Sequence, residues 1–153
     1  MNESASFDCD RFLSLGGSEL VGYVEPFVNI RIDAIPESAY GVLQAALDGL
    51  DEVHTVYALE ICMLLKPSEF AHQAAAFLSH TDAAVCCAAC NSMNRLPPSL
   101  MPADLVQKIA ATPTVDLFTT DLHSGERIRI GTNEEFIRDL VAKFGGVVLM
   151  EDD

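Results

Sequence analysis

Residues 37–67, ESAYGVLQAALDGLDEVHTVYALEICMLLKP, lie over residues 67–97, PSEFAHQAAAFLSHTDAAVCCAACNSMNRLP, at a shift of 30. Ser38 falls on Ser68 and Tyr40 on Phe70. Ala45-Ala46 falls on Ala75-Ala76, Ala58 on Ala88, Met63 on Met93 and Pro67 on Pro97. Each segment has the same physical plan. A Pro/Ser start can supply a cap to the first free N–H groups of a helix. An alanine-rich amphipathic stretch follows, then a polar turn ("DGLDE" or "SHTD"), then a more apolar stretch that ends at proline. A third copy opens at "PADLVQKIAAT" (102–112), and its second half departs from the plan. Two helices per unit at this period point to an α-solenoid, in which each unit covers the apolar face of the next.

The 153 residues read as one domain: an N-terminal cap (1–36), helical repeats (37–112) and a C-terminal cap (113–153). A chain of this length buries enough surface to need no disulfide or metal, and an apolar content of 50% excludes disorder. The fold expected is mainly α, with minor β near residues 27–32, 115–130 and 147–150. "VNIRID" alternates apolar Val28, Ile30 and Ile32 with polar residues, as an extended segment does. "VDLFTTDLHSGERIRIGT" reads either as a hairpin turning at Ser124-Gly125, with Ile128 and Ile130 on one face, or as a helix followed by a loop. "TNEEFIRDLVAKFGG" reads as a helix capped by Thr132 and Glu135, with Phe136, Leu140 and Phe144 on one face and a stop at Gly145. "VVLM" then reads as extended.

The second unit resembles the short variety of HEAT-like repeats. Asp82 sits at the inter-helix turn, Val85 opens the second helix, and the small residues Ala88 and Ala89 follow. Cys86 stands where that family often carries an arginine paired with the turn aspartate. The resemblance covers about residues 37–112. It implies stacked antiparallel helix pairs whose second helices line an inner, ligand-binding surface.

Charge narrows the function. There are 23 acidic residues against 9 basic ones, a formal net charge of -14. In residues 1–60 the only bases are Arg11 and Arg31. Such a chain repels nucleic acid and anionic lipid and attracts a basic protein. "RIRIG" (127–131) is too short a basic cluster to suggest a nucleic-acid surface. No apolar run approaches the ~18 residues of a membrane span, and "MNESASFDCD" is the reverse of a signal peptide. The protein therefore reads as cytoplasmic, with reduced thiols.

Three of five cysteines, Cys86, Cys87 and Cys90, fall within five positions. As metal ligands they need a fourth donor such as His54 or His80. As a redox pair they need a helix N-terminus to lower a thiol pKa. The run AAVCCAAC is more simply the small-residue face of a crowded inner helix. The scattered histidines (54, 72, 80 and 123) form no recognisable nucleophile setting, and no glycine-rich phosphate loop is present. Glu60 is anomalous: inside VYALEICMLL a carboxylate needs either a solvated edge or a partner. With Asp51 and Glu52 it defines a candidate partner-binding face. The expectation is a non-enzymatic acidic module without a cofactor, an inhibitor or immunity-type or adaptor protein that engages a basic protein. Its likeness to immunity proteins is one of size and acidity. The alternatives are a cytoplasmic secretion chaperone and a metal- or redox-dependent protein using the three clustered cysteines.

Overall fold

The computed structural model describes residues 6–121 and 123–152, with residues 146–152 as backbone only. Among them are eight α-helices and one two-stranded antiparallel sheet. The chain divides into two compact units, Met1–Lys66 and Pro67–Asp153. The division falls at Pro67, the residue shared by the two aligned repeats.

The first unit holds α1 (Cys9–Ser14), α2 (Gly17–Asn29), α3 (Ser38–Ala46) and α4 (Glu52–Leu65). α4 packs against both α2 and α3. The second holds α5 (Pro67–Ala76), α6 (Ala83–Asn94), α7 (Ala103–Ala110), β1 (Asp116–Thr120), β2 (Arg127–Thr132) and α8 (Glu134–Asp152). α6 packs against α5 and α8, and α7 against α5 and α8.

The repeat is visible in the backbone. The first helix of each pair tightens into a 3-10 turn, Leu47–Gly49 after α3 and Phe77–Ser79 after α5. An aspartate then opens the second helix. Asp51 accepts the His54 amide at 2.9 Å, and Asp82 accepts those of Ala84 and Val85 at 3.0 and 3.2 Å. These side chains satisfy N–H groups that the helix itself cannot. The serines expected to cap the first helices do not do so: Glu37 is the cap of α3 and makes no side-chain cap bond, and α5 starts at Pro67 itself.

Two expected extended segments are helical. In residues 27–32, Leu20, Val24 and Phe27 are buried at helical spacing and carry α2 to Asn29. The Ile30 and Arg31 amides then fold back on the Pro26 carbonyl at 3.0 and 2.8 Å. The alternation of Val28, Ile30 and Ile32 serves no sheet, and Ile30 is 80% exposed. Residues 147–150 lie within α8, which runs through Gly145 to Asp152. Gly145 has no positive φ; glycine permits a left-handed stop without imposing one.

Of the two readings of residues 115–130, the hairpin is the one found. Asp116 pairs with Thr132 and Thr120 with Arg127, with a bulge between Leu117 and Phe118. Gly125, at φ +74°, makes the turn, and the Gly125 amide donates to the Asp121 carbonyl at 2.8 Å. Leu117 is the buried residue of the hairpin. Ile128 and Ile130 face solvent, at 43% and 58% exposed.

Asn133 ties this region together. It is fully buried. Its Nδ2 donates to the carbonyls of Leu78 (2.8 Å) and Pro113 (3.1 Å), and its Oδ1 accepts the Val115 amide (2.9 Å). Its own carbonyl starts α8 by accepting the Ile137 amide. Thr132 Oγ1 contributes one bond, from the Glu134 amide, so the helix opens at Asn133 rather than at Thr132. Asn133→Ala removes three hydrogen bonds, one of them to the buried Leu78 carbonyl, and is expected to lower unfolding stability by about 3 kcal/mol. Urea unfolding measures this. The exposed control Asn91→Ala should stay within about 0.5 kcal/mol of the parent.

Candidate functional site: the acidic face of α2 and α4

The three acids singled out in the sequence do not act alike. Asp51 caps α4, and its Oδ1 also lies 2.9 Å from His54 Nδ1. The imidazole is buried. Its Nε2 reaches the Phe12 carbonyl at 3.0 Å, and its ring stands edge-on to the Phe12 ring. Asp51 thus belongs to a structural link from α4 to α1. Burial works to raise its carboxyl, but hydrogen bonds from the His54 backbone and ring, with the charge of that ring, hold it below its ordinary value.

Glu52 is exposed in the first turn of α4, and Glu60 is half-buried two turns on. Eight residues apart on a helix, they are offset by about 80° around the axis and ~12 Å along it. Glu60 finds its setting at Tyr57. This half-buried phenol is pushed above its ordinary pKa by burial, and then by the carboxylates of Glu25 and Glu60. Glu25 on α2 and Glu60 on α4 thus both lie near enough to Tyr57 for their charges to bear on it. Sequence reasoning found Glu60 by its misfit in an apolar run. It missed Glu25 and Tyr57, because no local pattern announces which helix lies beside α4.

The rest of this unit's charge accentuates the face. Residues 1–66 carry eleven acids and three bases. One of those bases, Lys66, is paired with Glu37 at 2.7 Å.

The clustered cysteines lie on α6. Cys86 and Cys90 are buried and Cys87 is half-buried. Cys86 Sγ donates to the Leu78 carbonyl at 3.3 Å, while Cys87 and Cys90 accept from the side chains of Asn91 and Asn94. Burial, helped by the neighbouring thiols, pushes Cys86 up to about 12. Burial, with Cys87 and Asp139 adding, pushes Cys90 up to about 11. Burial also pushes Cys62, on α4, up to about 12. The histidines named as a possible fourth ligand are engaged elsewhere: His54 as above, and His80 by accepting the Asp82 amide at 3.0 Å. Among the described residues no group of three or more His, Cys, Asp or Glu is arranged to hold a metal. None of their helices is long and apolar enough to cross a membrane.

Two outcomes follow. A thiol that titrates near 12 rather than 9 presents roughly a thousandfold less thiolate at neutral pH. In a thiol-reagent assay at pH 7.4, Cys62, Cys86 and Cys90 should stay silent in the folded protein, and all five cysteines should react in denaturant. Asp51→Ala should cost about 1 kcal/mol at neutral pH through loss of the cap. A carboxyl held low in the folded state stabilises above its unfolded value of 3.8, and that stabilisation disappears as pH falls through the lower folded-state value. The gap between parent and variant should therefore close below pH 3.8 in acid unfolding curves.

No protein-family model matches this chain, no curated protein matches it, and no solved structure matches it.

Proposed function

We propose that this protein is a non-enzymatic binding module that engages a basic protein partner through the acidic face of α2 and α4, as an inhibitor, an immunity-type protein or an adaptor. The observation that carries the reading is the excess of eleven acids over three bases in residues 1–66, with Glu25 on α2 and Glu60 on α4 both near enough to Tyr57 for their charges to bear on it. A tyrosine offers a rigid aromatic contact with a polar end, and flanking carboxylates match a lysine or arginine laid against it. The excess of acids over bases in residues 1–66 extends that attraction and speeds encounter with a cationic partner. The α3–α4 and α5–α6 pairs, alike in their 3-10 turns and aspartate caps, support the further reading that they stack as a short α-solenoid. The raised thiol pKa values of Cys86 and Cys90 speak against the metal- or redox-dependent reading, since the thiolate is both ligand and nucleophile.

The test is capture from a lysate of the protein's source, with salt elution and cross-linking to place the contact. A stoichiometric basic protein cross-linked near Tyr57 supports the proposal. The triple variant Glu25→Lys, Glu52→Lys, Glu60→Lys should then slow association by at least tenfold. A control reversal of the exposed Glu134 and Glu135 on α8 should leave it unchanged. Undiminished binding by the triple variant, or loss of binding with the control alone, overturns the reading.

A further inference from the structure

His54 is a buried imidazole with an acceptor at each of its nitrogens. Nδ1 lies 2.9 Å from Asp51 Oδ1, and Nε2 lies 3.0 Å from the Phe12 carbonyl oxygen. The first acceptor is the carboxylate that caps α4. The second belongs to the last turn of α1, where a helix leaves its carbonyls without internal partners. One ring therefore joins the C-terminal end of α1 to the cap of α4. Its edge also packs on the Phe12 ring, with the centroids 5.2 Å apart at 88°.

A neutral imidazole carries one N–H and one lone pair, whereas a carboxylate and a carbonyl oxygen only accept. With a single proton the ring would turn a lone pair on one of these oxygens at hydrogen-bond distance. With two protons it donates at both ends. Asp51 is the acceptor in this arrangement: its side chain is 59% exposed, and Oδ1 already takes the His54 amide at 2.9 Å. Both helix ends favour the same charges, a cation at the C-terminus of α1 and an anion at the N-terminus of α4. Asp51 is the titratable group hydrogen-bonded to the ring. Of the others on the elements around it, Arg11 of α1 lies over Tyr23 of α2, and Cys9 of α1 feels Asp8 and Asp10. Glu25 of α2 bears on Tyr57 of α4, and Glu37, ahead of α3, pairs with Lys66.

We propose that His54 is a pH-sensitive latch: as an imidazolium it bonds the cap of α4 and the end of α1 at once, and loss of one proton frees the Phe12 carbonyl and loosens α1. The neutral ring keeps its remaining proton on the carboxylate, the stronger acceptor, and faces the carbonyl with a lone pair. The bridging form is the protonated one, so its contribution is full in mild acid and falls as pH rises. It also needs Asp51 ionised, so the bridge opens again in strong acid. The latch does not depend on a basic partner.

The experiment follows the full-length protein by NMR, with the histidine ring nitrogens labelled, from about pH 6 to about pH 9, a span that brackets an ordinary histidine. Amide hydrogen exchange in α1 is measured over the same span and corrected for intrinsic exchange. At about pH 6, Hδ1 and Hε2 of His54 should both appear as slowly exchanging protons, with Hε2 close to Phe12. As pH rises, loss of Hε2 should coincide with a fall of about tenfold in the protection of the Phe12 and Leu15 amides, the size expected for one hydrogen bond from a charged donor. These amides bond the Asp8 and Arg11 carbonyls and so report on α1 itself. In His54→Gln that protection should stay level across the span. The other three histidines titrate in parent and variant alike, so the difference isolates His54. Three results overturn the proposal: a single ring proton on His54 at about pH 6; α1 protection in the parent that does not follow the ring's protonation; or the same pH dependence in folded His54→Gln. The first two are read on the parent protein and need no variant.

Discussion

The carboxamide of Asn133 is enclosed on all sides, and both its N–H groups and its carbonyl are used. A buried amide is costly when it lacks partners and confers specificity when it has all of them. Here the three bonds end on two separate pieces of chain: the turn after α5, at Leu78, and the segment that joins α7 to β1, at Pro113 and Val115. The same residue's backbone carbonyl begins α8. The second unit therefore has one arrangement in which that amide is satisfied. In it β1 lies along the α5–α6 turn, with the Phe118 amide on the Thr81 carbonyl at 2.8 Å. This constraint explains why the third repeat stops halfway. After α7 the chain leaves the helical plan and supplies a hairpin, and the long α8 packs on both α6 and α7.

The sequence made the helical pairs legible because their determinants are local. The alanine-rich face of α5, the apolar run of α4 and the aspartates at both inter-helix turns act within a few residues of themselves. The errors came where two local patterns competed. In residues 27–32 a period of two and a period near 3.6 overlap, and the burial of Leu20, Val24 and Phe27 decided for the helix. At Gly145 the expected stop rested on what glycine tolerates rather than on what it requires. Asn133 was beyond reach for a different reason. In the sequence it is one more polar residue before a helix, and its partner Leu78 is 55 positions away.

The candidate site divides in the same way. Glu60 stood out because a carboxylate inside an apolar run demands an explanation; it is half-buried on α4, where its charge and that of Glu25 bear on Tyr57. Asp51 was grouped with it by proximity in sequence, yet its carboxylate is committed to the start of α4 and to His54. The cysteines show the reverse case. Their spacing invites a metal or redox reading. Burial, which spacing does not report, keeps Cys86 and Cys90 protonated well above neutral pH.

Net charge and local charge act over different distances, and this chain uses both. Fields from exposed carboxylates extend about a Debye length, ~8 Å at physiological ionic strength, and set what approaches the surface. Within contact distance the relevant quantity is which donors converge. Arg11, Arg31 and Tyr23 converge on one cleft, in a unit whose summed charge is strongly negative. Each guanidinium lies over a ring, Arg11 on Tyr23 and Arg31 on Phe27, and Arg11 makes no ion pair among the described residues. The same rings form the apolar wall of the cleft. The acidic field of this unit and its two stacked arginines thus act at different ranges, the first over about a Debye length and the second only at contact.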